Sequence, residues 1–150
     1  MENENEWRYQ IGELMVRFAE IESYVAGCLI SLPEKNLFEE HKDKSFKRKC
    51  GAAKIEIEKS EIRSKTKDKL VSSINDAIEL AKTRNLVAHN PINLSLQSIF
   101  ENKMRYEIVS YRNTDETISL ENLKQVNIKV QACSTELGNA LEDAEIEKDA

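Results

Sequence analysis

The sequence predicts an all-α fold, an up-and-down helical bundle of four main helices with a small hairpin-like excursion before the last one. Three observations carry this expectation. Only four Gly and two Pro interrupt 150 residues, too few turn formers for a fold of many short strands. Apolar residues recur at helical steps over long stretches. Apolar residues make up 40% of the chain and charged residues 33%, the balance of a chain that buries a core rather than staying disordered. The length suits a single domain spanning residues 1–150.

The first helix is predicted over residues 6–32. Trp7, Ile11, Leu14, Phe18, Ile21, Val25, Cys28 and Leu32 recur at alternating steps of four and three, an apolar seam that packs along a neighbouring helix. Pro33 ends it. Gly27 beside the seam offers room for another backbone to come close. Residues 34–45 are polar and connecting, with His41 an inert surface histidine.

A second helix is expected from about Ser45 to Ile62, with Phe46, Cys50, Ala53 and Ile57 inward and Lys47, Arg48, Lys49, Lys54 and Lys59 outward. Such a charged face is most simply a solvated surface, and otherwise a guide for RNA. A third helix from about Thr66 carries Leu70, Ile74, Ala77, Ile78, Ala81, Leu86 and Val87. Residues 92–118 change texture: Met104 to Ile108 alternate like a strand, Asn113 to Glu116 form a turn, and Thr117-Ile118 return as a partner. Ser119 is a good N-cap for the fourth helix, marked by Leu120, Leu123, Val126, Val130, Cys133, Leu137 and Leu141. The acidic tail, about residues 142–150, is expected to fray.

Charge is unevenly distributed. The net charge of -5 resolves into local balances of -6 over residues 1–40, +6 over 41–69, +1 over 70–113 and -6 over 114–150. An acidic chain is a poor nonspecific binder of nucleic acid, but the central segment is suited to a phosphate backbone. The N-terminal residues lack the basic and apolar regions of a signal peptide, and the longest apolar run, Val25 to Ile30, is too short to span a bilayer. A cytoplasmic protein with no membrane association is expected. Cys28, Cys50 and Cys133 are odd in number and widely spaced, which suggests small buried side chains and neither disulfides nor a metal site. Glycine-rich phosphate loops, nucleophile elbows and paired metal ligands are absent, so no cofactor is expected.

The stretch that carries chemistry is Lys82-Thr83-Arg84-Asn85-Leu86-Val87-Ala88-His89-Asn90-Pro91. Pro91 drives Asn90 out of the helical region, so the third helix stops at about His89. Five residues of helix set Arg84 and His89 about 140° apart and roughly 7.5 Å along the axis, on different faces. Asn85 and His89, four apart, share one. Each residue also has a capping explanation: Lys82, Arg84 and His89 suit the negative end of the helix dipole.

The phrase Arg84-Asn85-Leu86-Val87-Ala88-His89 resembles the R-N-x-x-x-H signature of the HEPN superfamily (higher eukaryotes and prokaryotes nucleotide-binding). The first helix, with Phe18-Ala19-Glu20-Ile21-Glu22, and the Ser119-capped last helix are similar to that family's layout. The resemblance is specific over about Leu80 to Pro91 and loose elsewhere. It implies an all-α homodimer with two signature helices side by side, and in many members a metal-independent endoribonuclease of toxin, phage-defence or RNA-processing type. On that implication Arg84 holds the scissile phosphate, His89 acts on the 2′-hydroxyl or the leaving oxygen, and Asn85 orients His89 or the RNA. Lys82 and Asn90 become RNA-binding residues, and Glu22 a support for Arg84 across the bundle. RNA carries its own nucleophile, so such a site needs only a group that exchanges protons near neutral pH and a fixed positive donor. The partner's helix brings the missing head to each phosphate, which resolves the divergence of Arg84 and His89. Acidic balance and sparse aromatics point to a narrow substrate, such as a structured RNA or one delivered by a partner; an antitoxin or defence component is a separate candidate partner protein. The alternative is a non-catalytic bundle that binds nucleotide or RNA, or an antitoxin-like interaction module.

Overall fold

The computed structural model describes residues 3–150. Four long helices form the body: α1 (Glu4–Ser31), α3 (Phe46–Lys59), α4 (Ser64–His89) and α6 (Leu120–Asp149), with a short α2 (Phe38–His41) in the first connection. The seam of α1 is buried as its spacing requires: Trp7, Leu14, Phe18, Ile21, Val25 and Cys28 are in the core. Ser45 caps α3 by accepting from the Arg48 amide at 3.3 Å, and Ser119 caps α6 by accepting from the Asn122 amide at 3.1 Å. At the end of α4, Asn90 turns to an extended backbone immediately before Pro91.

Side-chain pairs define the helix directions. Along α1 and α6, Asn127 donates to Gln10, Ser134 to Glu20, and Ser31 to Glu145, so these helices run parallel. Along α3 and α4, Phe46 meets Arg84 and Lys54 meets Asn75, so these run antiparallel. Phe46 also packs on Phe18, with ring centroids 5.1 Å apart, while Lys59 and Ser60 share a hollow with Leu32 and Pro33. α3 therefore runs parallel to α1: the 34–45 connection returns the chain partway along the bundle before α3 begins. Up-and-down order holds from α3 through α4 to α6, and this long connection is the one departure from it.

Between α4 and α6 the chain forms an antiparallel sheet of three strands in the order β1 (Ile92–Leu94), β2 (Tyr106–Val109), β3 (Thr117–Ser119). The expected return of Thr117-Ile118 as a partner of the strand ending near Ile108 is present; Ile108 stands opposite Ile118, and both are buried against the end of the bundle. A third strand, β1, and a short helix α5 (Leu96–Phe100) were not expected. α5 inverts the usual pattern. Leu96, Ile99 and Phe100 face solvent while Ser95 and Ser98 are buried, held by the Ser98 amide donating to Ser95 Oγ and the Arg105 amide donating to Ser98 Oγ.

Two further expectations are corrected. The acidic tail at 142–150 does not fray: α6 continues to Asp149, Ala144 is fully buried, Ser31 Oγ donates to Glu145 at 2.8 Å and Thr66 Oγ1 donates to Glu147 at 2.8 Å. Its carboxylates are acceptors for the ends of α1 and α4, which hydropathy could not reveal. Gly27 admits a side chain rather than a backbone, since a Cβ there would lie 2.6 Å from Leu141 Cδ2. Among the described residues, no helix is long and apolar enough to cross a membrane. The three cysteines are free and buried. Burial pushes the Cys28 and Cys50 thiols up to about 12 and that of Cys133 to about 11.

Candidate functional site

The last two turns of α4 place their polar side chains on two sides of the molecule. Arg84 turns inward, toward the groove between α1 and α3. Its Nη1 donates to Glu22 Oε1 at 2.8 Å, and its guanidinium carbon lies 4.6 Å from the centroid of Phe18 and 6.0 Å from that of Phe46. The expected Arg84–Glu22 contact is therefore present. The seam position of Phe18 provides the floor of this slot and Phe46 its side wall, so helical packing fixes the plane of the guanidinium. The side chain keeps 22% of its surface exposed, and its buried Nε has no hydrogen-bond partner.

His89 turns the other way. With Lys82 and Asn85 it forms one wall of a cleft of about 630 Å³, and the segment after β2, including Tyr111 and Arg112, forms the other. Asn85 and His89 share a face, as the four-residue spacing requires. Arg84 does not line this cleft. Within the single chain the two heads of the motif thus serve opposite sides of α4, as the helix geometry predicted.

Of the two residues expected to contact RNA, Lys82 is exposed on the cleft and pairs with Glu79 at 2.9 Å, a contact worth little between two solvated side chains. Asn90 has a structural duty at both ends of its amide: Nδ2 donates to the Leu86 carbonyl at 2.8 Å and Oδ1 accepts from the Tyr111 amide at 2.9 Å. It fastens the end of α4 to the segment after β2.

Sequence reasoning missed Tyr111 and Arg112. They lie in neither a helical period nor a motif, and only the sheet brings them back to α4. The cations of the first turn of α3, Lys47, Arg48 and Lys49, have no ion-pair partner among the described residues, whereas Arg8, Arg17 and Lys124 are all paired. That turn contains no acidic residue, so its positive charge adds to the positive end of the helix dipole. Phe46, in the same turn, reaches Arg84.

Among the described residues no group of three or more His, Cys, Asp or Glu side chains is placed to hold a metal ion. The chain matches no family model, and neither curated proteins nor solved structures match it.

Proposed function

We propose that this protein is a metal-independent endoribonuclease of HEPN type, working at a composite site made by two protomers. The observation that carries the reading is the state of Arg84. A guanidinium clamped by Glu22 and stacked on Phe18, yet still partly exposed, is a rigid donor of the kind that stabilises charge developing on a phosphate. His89, exposed beside Asn85 in a separate cleft, supplies the proton-exchanging group. In the reaction the RNA 2′-hydroxyl loses its proton to a base, its oxygen bonds to the adjacent phosphorus, and the bond to the 5′-oxygen breaks. That oxygen leaves with a proton from an acid. The products are a 2′,3′-cyclic phosphate and a 5′-hydroxyl, and His89 takes one of the two proton-transfer roles. Because Arg84 and His89 of one chain diverge, Arg84 from one protomer and His89 from the other act on one phosphate. Lys47, Arg48 and Lys49, close to Arg84 through Phe46, draw the RNA backbone in.

Purified protein is expected to cut RNA in the presence of EDTA, and His89→Ala to abolish the cut without changing the fold. Cleavage that survives this substitution sinks the assignment. Sedimentation at micromolar concentration is expected to show a dimer. One observation favours a second reading, in which the motif binds a phosphate without cutting: the charge of Arg84 is already compensated by Glu22. RNA binding with no product from wild-type protein under any condition would select it.

A further inference from the structure

The cleft that holds His89 has a second wall whose construction the motif does not explain. After β2 the chain is fastened at every backbone position that matters. Ser110 is buried, its amide donates to the Glu116 carbonyl at 3.0 Å, and its Oγ accepts from the amides of Arg112 at 3.2 Å and Asn113 at 3.3 Å. The Tyr111 amide is held by Asn90, the residue that closes α4. These contacts fix the backbone and leave both side chains outside. Tyr111 is 75% exposed, and Arg112 has no ion-pair partner among the described residues.

A large ring kept in solvent on a rigid turn does nothing for the core, and an unpaired guanidinium beside it does nothing for stability. Across the cleft stand Lys82, Asn85 and His89. A ring able to stack on a base, two cations able to hold a phosphate and a histidine on the wall facing the ring are the parts that grip a single-stranded nucleotide. The volume of about 630 Å³ lies within the span of roughly 300–1,000 Å³ found for small-molecule sites. Glu116 also lines the cleft and accepts from Asn113 Nδ2 at 3.4 Å; its negative charge disfavours a phosphate beside it, which leaves the phosphate to Lys82 and Arg112, one from each wall.

We propose that this cleft is a nucleotide subsite for single-stranded RNA, in which Tyr111 stacks on a base beside the scissile bond and Arg112 holds a phosphate together with Lys82. The proposal deepens the ribonuclease reading and rests on it for the choice of RNA. It gives residues 92–118 a purpose: the small sheet carries Tyr111 and Arg112 to the end of the motif helix, and Asn90 sets their distance from it.

The test uses full-length protein and a short fluorescent oligouridylate whose 2′-hydroxyls are replaced by fluorine, so that it cannot be cut. Binding is followed by anisotropy. Tyr111→Ala is expected to weaken binding roughly 5- to 100-fold, and Tyr111→Phe and Tyr111→Trp to retain it, because stacking needs the ring and not the hydroxyl. Emission from Tyr111→Trp is expected to be quenched by the probe. Arg112→Gln is expected to weaken binding and to reduce the slope of log K against log salt by about 0.7, one phosphate contact on a single strand. Circular dichroism of each variant is expected to match wild type, since both side chains are exposed. Three results overturn the proposal: Tyr111→Ala binding within twofold of wild type, Tyr111→Phe losing as much as Tyr111→Ala, or wild-type protein failing to bind the probe. Protein that binds through Tyr111 yet cuts no RNA upholds the subsite and rejects the ribonuclease reading; protein that cuts RNA with binding indifferent to Tyr111→Ala does the reverse.

Discussion

The Arg84–Glu22 pair connects the candidate site to the stability of the bundle, and a double-mutant cycle with Glu22→Gln and Arg84→Met measures it. Two unit charges about 4 Å apart attract by ~4 kcal/mol at an effective dielectric of 20. Desolvation and screening offset most of that here, because the Glu22 side chain is 43% exposed and the contact is a single 2.8 Å hydrogen bond. Exposed pairs give about 0.2–1 kcal/mol, and breaking a fully buried pair costs about 3–5 kcal/mol. An intermediate site is expected to show a coupling of ~1 kcal/mol. Arg84→Met also removes the attraction between the guanidinium and the Phe18 face, about 0.5–1 kcal/mol, so that variant is expected to lose ~1.5–2 kcal/mol in total against ~1 kcal/mol for Glu22→Gln. At this chain length each kcal/mol lowers Tm by roughly 2–4 °C. Urea titrations followed by far-ultraviolet circular dichroism give the four stabilities, at low salt and again in high salt, where the coupling is expected to shrink. A coupling below ~0.3 kcal/mol at low salt refutes the account of Arg84 as a clamped group.

Charge reversal of Lys47, Arg48 and Lys49 to Glu is expected to leave α3 as stable or slightly more so, since carboxylates suit a helix N-terminus, while the salt slope of RNA binding falls by about 2; thermal melts and filter binding report the two effects. Deleting residues 142–150 removes the buried Ala144 and the acceptors of Ser31 and Thr66, for an expected loss of about 2–4 kcal/mol in urea titrations; an unchanged midpoint returns the tail to a frayed state. The thiols are expected to resist alkylation in the native state at pH 8, because burial holds Cys28 and Cys50 at about 12 and Cys133 at about 11. These values lie above the ordinary thiol range, so the unfolded chain releases thiol protons first. The thiol contribution to stability is whole below pH ~8.5 and is lost as pH rises toward 12, read as a falling urea midpoint over that range.

Much of the bundle was legible in local pattern. The four-three steps of α1 and α3, the serines that cap α3 and α6, and Pro91 after α4 are local signals, and each acts through backbone geometry that the neighbouring residues already fix. The short α5 was not legible because its apolar side chains face solvent and its buried groups are serines. The tail was misread for a related reason, since Glu145 and Glu147 gain their acceptor roles only when α1 ends and α4 begins beside them.

By itself, the sequence determined the four long helices, the seam that buries Phe18, the end of the motif helix and the opposite directions of Arg84 and His89. All of these follow from 100° per residue and from the restricted backbone beside proline. Tertiary structure alone decided what each head faces. Phe18 and Glu22 from α1 and Phe46 from α3 close on Arg84, while Tyr111 and Arg112 return through a three-stranded sheet to face His89 across one cleft. Periodicity reports which face of an element is apolar; it has no term for which distant element will cover a polar one, because that choice is made by packing and by hydrogen bonds such as Tyr111 to Asn90, between residues 21 apart in sequence.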